Sequence, residues 1–465
     1  MIPLTLPEIA AVVGGEVHDD PDGVVVAGPA FRDNREPEPE GLFVALVGER
    51  ADGHDFARAA VDGGGRAVLG SRPTGVPTVV VPDVVVALQQ LAREVLRRLR
   101  EQAGGPAVVA ITGSQGKTSA KDMLARVLAD DAPTVATYGS LNNEIGLPLT
   151  VLYAGPGTRH LVLEMGARGV GHLTQLCGIA PPDVSVVLNV GKAHLGEFGS
   201  REQIARAKGE LVEALTRRGT AVLNADDPLV AAMADRTRGR VRRFGHAADA
   251  EVRIGEVTLD ELARPRFDLT VAGETSPVRL RLFGAHQATN AAAATAVATA
   301  LGLPLGQVVE SLAGIDRLSR WRMEVHERDD GLVVVNDAYN ANPDSMRAAL
   351  ETLAAIGRRS GRRTVAVLGE MLELGETAEE EHRAVGRLAA ELGIDEVLVV
   401  GEGAAGIHAG FLAVHPDGGT RRAEGVADAA EWVRKNVAGT EVVLVKASHA
   451  AGLERVAEQL LEVTA

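Results

Sequence analysis

The stretch that most restricts the fold lies at 107–123 and reads AVVAITGSQGKTSAKDM. Val108 to Thr112 form a continuous apolar run of the kind a buried parallel strand needs. Gly113 and Gly116 break the run. From Thr118 to Leu128 the residues Met123, Leu124, Val127 and Leu128 then recur at helical spacing. Strand, glycine turn and helix in that order leave unpaired backbone N–H groups at the helix N-terminus, a cradle for polyphosphate. Ser114, Gln115 and Ser119 belong to the same loop, Lys117 brings positive charge to the β- and γ-phosphates, and the Thr118 hydroxyl suits Mg²⁺. The motif is the shorter GxxGKT, because Ile111 stands where the longer phosphate-loop pattern has its first glycine.

Around this unit the chain divides into three regions. Residues 1–82 hold short strand-like runs between Gly- and Pro-rich turns, with Pro82 and Asp83 as the boundary. Residues 83–315 alternate strands (Val108–Thr112, Leu161–Met165, Val184–Asn189, Thr220–Asn224) with helices, and Glu251–Leu282 reads as a β meander. Residues 316–465 restart the alternation with strands at Leu332–Val335, Thr364–Leu368, Glu396–Val400 and Glu441–Val445. The fold class is therefore α/β with three domains: a small mixed domain, a central P-loop domain with a parallel sheet, and a C-terminal Rossmann-like domain.

Composition excludes several functions. A net charge of −15 argues against a broad nucleic-acid or anionic-membrane surface, while saying nothing about one cleft. The single cysteine, Cys177, rules out a disulfide framework and a Cys-rich metal site. No apolar run is long enough for a membrane span, and Glu8 interrupts an N-terminus that has no basic leader. A cytoplasmic protein is expected.

The loop ITGSQGKTS resembles the ATP loop of the Mur ligases, and further blocks follow in family order. They are GSLNNEIGLPLT (139–150), EMGARGVGHL (164–173), LNVGKAHLGEFGS (188–200), AKGELVEAL (207–215), NADDP (224–228), GAHQATNAAAA (284–294), NDAYNANPDSM (336–346), LGEMLELG (368–375) and LVKAS (444–448). YNANP and NNEIGLP are typical of the branch that adds D-alanyl-D-alanine to UDP-N-acetylmuramoyl-tripeptide (UDP-MurNAc-tripeptide). The resemblance implies an ATP-dependent amide ligase in peptidoglycan precursor synthesis. A peptide carboxylate attacks the γ-phosphate of ATP, and the dipeptide amine then attacks the acyl phosphate. It also implies a monomer, and a nucleotide-sugar-binding role for residues 1–82.

Individual residues carry different weights. Glu164 closes a buried strand near the phosphate loop, the usual place for a Mg²⁺ ligand or a water orienter, though a surface Glu at a strand end reads the same way. Lys208 on its own reads as a solvated helix lysine. The resemblance makes it a lysine carbamylated by CO₂ that ligates Mg²⁺, and makes His194 a second metal ligand. Asn290 is expected near the adenine or as the cap of the Ala-rich helix. Arg322 falls near the hinge to the C-terminal domain. Asp337, at the end of that domain's first strand, is expected at the ribose, with Asn340 and Asn342 on the same wall. For the donor the resemblance points to Asp33-Asn34-Arg35, where the family usually reads DSR, to Asp52-Gly53-His54, and to Asn142, Asn143 and Arg168. For the acceptor it points to Lys446, Ser448 and His449. The family commonly has Arg at the last position, so the grip on the dipeptide carboxylate changes. A ligase of this chemistry recruited to another donor or amine, and a scaffold that has lost catalysis, are the alternatives.

Overall fold

A computed structural model describes residues 1–49, 51–191 and 198–462. Three α/β sheets follow one another along the chain. The first has five strands in the order Glu16–His18, Thr78–Val80, Ala67–Gly70, Leu42–Val44, Ala30–Phe31, parallel except at the Glu16–His18 edge.

The second is the large central sheet. Its parallel part runs Thr134–Ala136, His160–Glu164, Ala107–Thr112, Val184–Val187, Thr220–Asn224, Arg240–Gly245, Val252–Ile254. The expected meander closes one side through the antiparallel strands Thr258–Leu259, Pro265–Val271 and Glu274–Arg279. The strand before the phosphate loop is thus flanked by those ending at Glu164 and Val187, so three strand ends converge on one spot.

The third sheet has six strands in the order Glu324–Glu327, Val333–Asn336, Val442–Lys446, Thr364–Leu368, Glu396–Val400, Thr420–Ala423, parallel except at the first.

Among the strands that lie outside the apolar runs read from the sequence are Arg240–Gly245, Glu324–Glu327 and Thr420–Ala423. Each carries Arg, Glu or His on faces left partly or fully exposed, and the last two are sheet edges. Asp337 consequently follows the second strand of the C-terminal sheet, a correction to its expected place after the first.

The core runs across the boundary expected at Pro82 and Asp83. Asp83 caps the helix Val84–Glu101, its carboxylate accepting the N–H groups of Val85 (2.9 Å) and Val86 (3.0 Å). That helix's apolar face, Leu88, Leu91, Val95 and Leu99, packs at once against Leu6, Ile9, Leu69 and Val79 of the N-terminal region and Val108, Leu161 and Leu163 of the central sheet. The C-terminal sheet instead has its own cores, one on each face.

The central and C-terminal sheets are joined by a linker that follows the helix Leu305–Ala313. Both domains hold it by backbone hydrogen bonds. The Ser319 N–H donates to Asp122 Oδ2 of the central domain (2.8 Å), and the Met323 N–H to Asp337 Oδ1 of the C-terminal domain (3.0 Å). Within this segment Trp321 (φ +59°) and the anchor Met323 (φ +48°) adopt the left-handed region, which costs bulky side chains on the order of 1–3 kcal/mol each.

Candidate active site

The phosphate loop is shaped by contacts that the residue types dictate. Gly116 sits at φ +77°, and a Cβ there would come within 2.7 Å of Asn290 Oδ1, so glycine is needed twice over. The helix it opens runs Lys117–Ala129 with no side-chain cap, leaving its first N–H groups free for an anion. Asn189, at the end of the neighbouring strand, props the loop. Its Oδ1 accepts the N–H groups of Ser114 (2.9 Å) and Gln115 (3.0 Å).

Beside the loop, Glu164 is 2% exposed and fixed by three hydrogen bonds. Its Oε2 accepts the Thr118 hydroxyl at 2.8 Å, its Oε1 accepts Asn142 Nδ2 at 2.8 Å, and its own N–H donates to Thr137 Oγ1 at 3.0 Å. Lys117 donates to the Gly113 carbonyl (2.9 Å), and burial lowers its pKa.

Lys208 lies on the helix Arg201–Glu213 and is 3% exposed, so the solvated-lysine reading is wrong. Burial, with the Lys117 ammonium adding repulsion, holds its amine well below the usual lysine range, and among the described residues no carboxylate pairs with it. His194 lies outside the described residues. Among the described residues no three His, Cys, Asp or Glu side chains gather as a metal cluster.

The C-terminal domain supplies the opposite wall. Lys446, 1% exposed, donates to Asp337 Oδ2 (2.6 Å) and the Asn340 carbonyl (2.8 Å). Ser448 Oγ accepts the Leu372 N–H at 3.0 Å. His449 is sandwiched between Trp321 (centroids 5.5 Å apart) and Tyr339 (5.6 Å), while Arg322 lies 4.3 Å above the Tyr339 ring. The Tyr339 hydroxyl donates to Ser140 across the cleft. One cavity of about 800 Å³ joins the phosphate loop, Asn142, Asn143, Glu164, Arg168, Lys208 and Asn290 to Arg322, Asp337, Asn340, Asn342, Lys446, Ser448 and His449.

Several expected roles change. Asn290 sits inside the helix Gln287–Ala300 and is not its cap; it bonds Gln287 and abuts Gly116. Asn143 Oδ1 accepts the N–H of Gly146 (2.9 Å), the first residue of the helix Gly146–Val151, while Asn143 also lines the cavity. Asn342 caps the helix Pro343–Ser360. Neither donor motif of the N-terminal domain lines the cavity. Asp33 and Arg35 pair with each other (2.6 Å), with Asn34 between them, and that pairing lowers the Asp33 pKa to about 2. His54 is buried with both ring nitrogens engaged, one by Asp52 and the other by the Ser71 N–H (2.8 Å), beside Gly53.

Arg32 lines the cavity instead, unpaired among the described residues. It directly precedes the Asp33-Asn34-Arg35 motif, and its residue type alone does not set it apart from the chain's other arginines. Asn189 carried the same signal as Glu164, a polar residue closing an apolar strand. Trp321 and Tyr339 carried another: the chain has only 2 Trp and 3 Tyr.

A parallel sheet with a phosphate loop, facing a second α/β domain across a hinge, defines an enzyme that activates a substrate with a nucleoside triphosphate. The chain belongs to the Mur ligase family: the Mur ligase middle domain matches residues 111–298, and the Mur ligase glutamate ligase domain matches 321–449. It is 47% identical to the UDP-N-acetylmuramoyl-tripeptide–D-alanyl-D-alanine ligase of Mycobacterium tuberculosis over 99% of this chain and 98% of that one. The crystal structure of MurF from Acinetobacter baumannii superposes with a TM-score of 0.86 at 31% identity, covering 99% of both chains. MurF from Thermotoga maritima in complex with ADP superposes at 0.78, also at 31% identity, covering 93% of this chain and 97% of that one.

Proposed function

We propose that this chain is the ATP-dependent ligase that joins D-alanyl-D-alanine to UDP-MurNAc-tripeptide, giving UDP-MurNAc-pentapeptide, ADP and phosphate, in the cytoplasm and as a monomer. The observation that carries the reading is the single cavity shared by the phosphate loop and the C-terminal wall. Its volume, about 800 Å³, lies near the top of the range for ligand sites, roughly 300 to 1,000 Å³.

The residues divide the work. The loop N–H groups and Lys117 take the β- and γ-phosphates, while Asn290 and Arg322 flank the adenosine and Asp337 faces the ribose. The donor carboxylate attacks the γ-phosphorus, the bond to ADP breaks, and an acyl phosphate forms. Charge accumulates on the phosphoryl oxygens, where the fixed donors act without reorganising. The dipeptide amine, having lost a proton, attacks the acyl carbon and expels phosphate. Lys446, Ser448 and His449 form the wall against which the dipeptide lies, and Arg32 and Arg168 face the donor from two domains.

Hard-cation donors converge at Thr118 and Glu164, which fits Mg²⁺. When bound it supplies neutralisation at the phosphates. The buried Lys208 amine, with no carboxylate partner among the described residues, fits carbamylation, which requires a neutral amine. With His194, Lys208 would complete the oxygen and nitrogen set.

The test is ligation with Mg-ATP, bicarbonate, UDP-MurNAc-tripeptide and D-alanyl-D-alanine, following phosphate release and product mass together. Phosphate release that needs both substrates, with a pentapeptide product, is expected. His449, standing where an arginine is common, favours a second reading in which the amine differs. Product with another amine and none with the dipeptide would establish that reading.

A further inference from the structure

The helix Lys117–Ala129 carries a charge pair one turn beyond its phosphate-facing residues, and the ligase chemistry above does not use it. Lys121 is 2% exposed, and neither it nor Asp122 lines the cavity. The Lys121 ammonium donates to the Thr137 carbonyl at 2.6 Å and pairs with Asp122 Oδ1 at 2.6 Å. Asp122 Oδ2 accepts the Ser319 N–H, the central-domain anchor of the linker, at 2.8 Å. At the other end, Thr137 Oγ1 accepts the N–H of Glu164 at 3.0 Å. From the linker to the backbone of Glu164 the route is four polar contacts, each 3.0 Å or shorter.

A buried ion pair is a poor source of stability, since apolar side chains of similar size would serve as well or better. What it does supply is a fixed geometry, because each partner's position is set by the other. Here both ends of that geometry matter. Ser319 begins the segment with Trp321 and Met323 in the left-handed region, where any movement of the C-terminal domain must be absorbed. Glu164 must present its carboxylate beside Thr118 for phosphoryl transfer.

We propose that Lys121 and Asp122 are positioning residues that couple the setting of the linker to the setting of Glu164, so that the phosphoryl-transfer site is aligned only when the C-terminal domain is in place. The proposal rests on the ligase reading and adds to it a mechanical link from hinge to carboxylate. Spatial adjacency alone does not demonstrate coupling, so the test measures the coupling itself.

Asp122→Asn and Thr137→Val are near-isosteric and avoid the cavity. Each is expected to lower kcat fivefold or more, with the KM for ATP within twofold of wild type. The double variant should be no slower than the worse single variant, because both break one link. Thermal melting checks that all three are folded at the assay temperature. A second readout needs no turnover: with Trp432→Phe, Trp321 is the sole tryptophan and reports the linker. Its fluorescence should change when ATP is added to the wild-type link, and much less in Asp122→Asn. If effects on kcat multiply in the double variant, or if Asp122→Asn leaves both kcat and the Trp321 response intact, the coupling is wrong. Absence of ligation by wild-type protein would instead count against the ligase reading, and the fluorescence comparison would still decide the link.

Discussion

Two buried lysines face the same cavity, and their neighbours give them different chemistry. Burial lowers the Lys446 pKa, and the Asp337 carboxylate at 2.6 Å opposes that shift by favouring the ammonium. Lys208 has no such partner among the described residues and feels Lys117, so its neutral form is favoured. Lys208→Ala should therefore lower kcat at least 100-fold. Removal of bicarbonate should slow the wild type and leave the residual Lys208→Ala rate unchanged. Steady-state rates in degassed and bicarbonate-supplemented buffer check both statements.

His286 offers a pH test. Burial lowers its pKa to about 4, with Asp337 opposing and Lys446 assisting. A histidine kept neutral in the fold takes up a proton more readily once unfolded. Its contribution is thus complete above pH ~6.5 and fades as pH falls toward 4. The wild-type melting temperature should drop across that window, and His286→Gln should flatten the drop. At this scale much of the site was legible, because Lys117, Thr118 and Glu164 sit at strand and helix ends that patterning marks. Burial of Lys208 was not legible: an amphipathic pattern does not say that both faces of a helix are covered.

The helix His172–Ile179 cannot cap itself, because its N-cap is Gly171. Glu210, from the helix that carries Lys208, supplies the missing acceptor. Its carboxylate takes the N–H groups of Gly171 and Thr174 (3.0 Å for the latter) and the Thr174 hydroxyl (3.1 Å). Glu210→Ala should cost about 1–2 kcal/mol, with Glu210→Gln retaining part of it. Equilibrium denaturation of the two variants beside wild type measures this, and unchanged midpoints would show that water replaces the cap. Elements buried on both faces, such as Val108–Thr112 and Leu161–Glu164, declare themselves as apolar runs. Glu324–Glu327 and Thr420–Ala423 did not, because an edge strand pairs along one side and keeps charged side chains in water.

Across the whole molecule, the three regions read from the sequence are unequal in independence. The N-terminal region shares one continuous core with the central sheet through the helix Val84–Glu101. A chain starting at residue 83 would expose Leu88, Leu91 and Val95, which the N-terminal region now covers. It is expected to aggregate, as light scattering during refolding would show. Turn residues at 82–83 suggest a boundary, but the shared core was not legible, since contacts between distant segments leave no periodic trace.

The C-terminal sheet differs: it has cores on both faces, and the covalent connection to it is the one linker through 316–323. Its main debt to the central domain is the hairpin around Ala263, whose side chain enters the C-terminal core together with those of Leu259 and Leu262. The unit that contributes Lys446, Ser448 and His449 is therefore close to an interchangeable part. Replacing residues 320–465 with the same span of a relative, and matching the 259–264 hairpin to it, would transplant one ligase's choice of incoming amine onto another's phosphate chemistry.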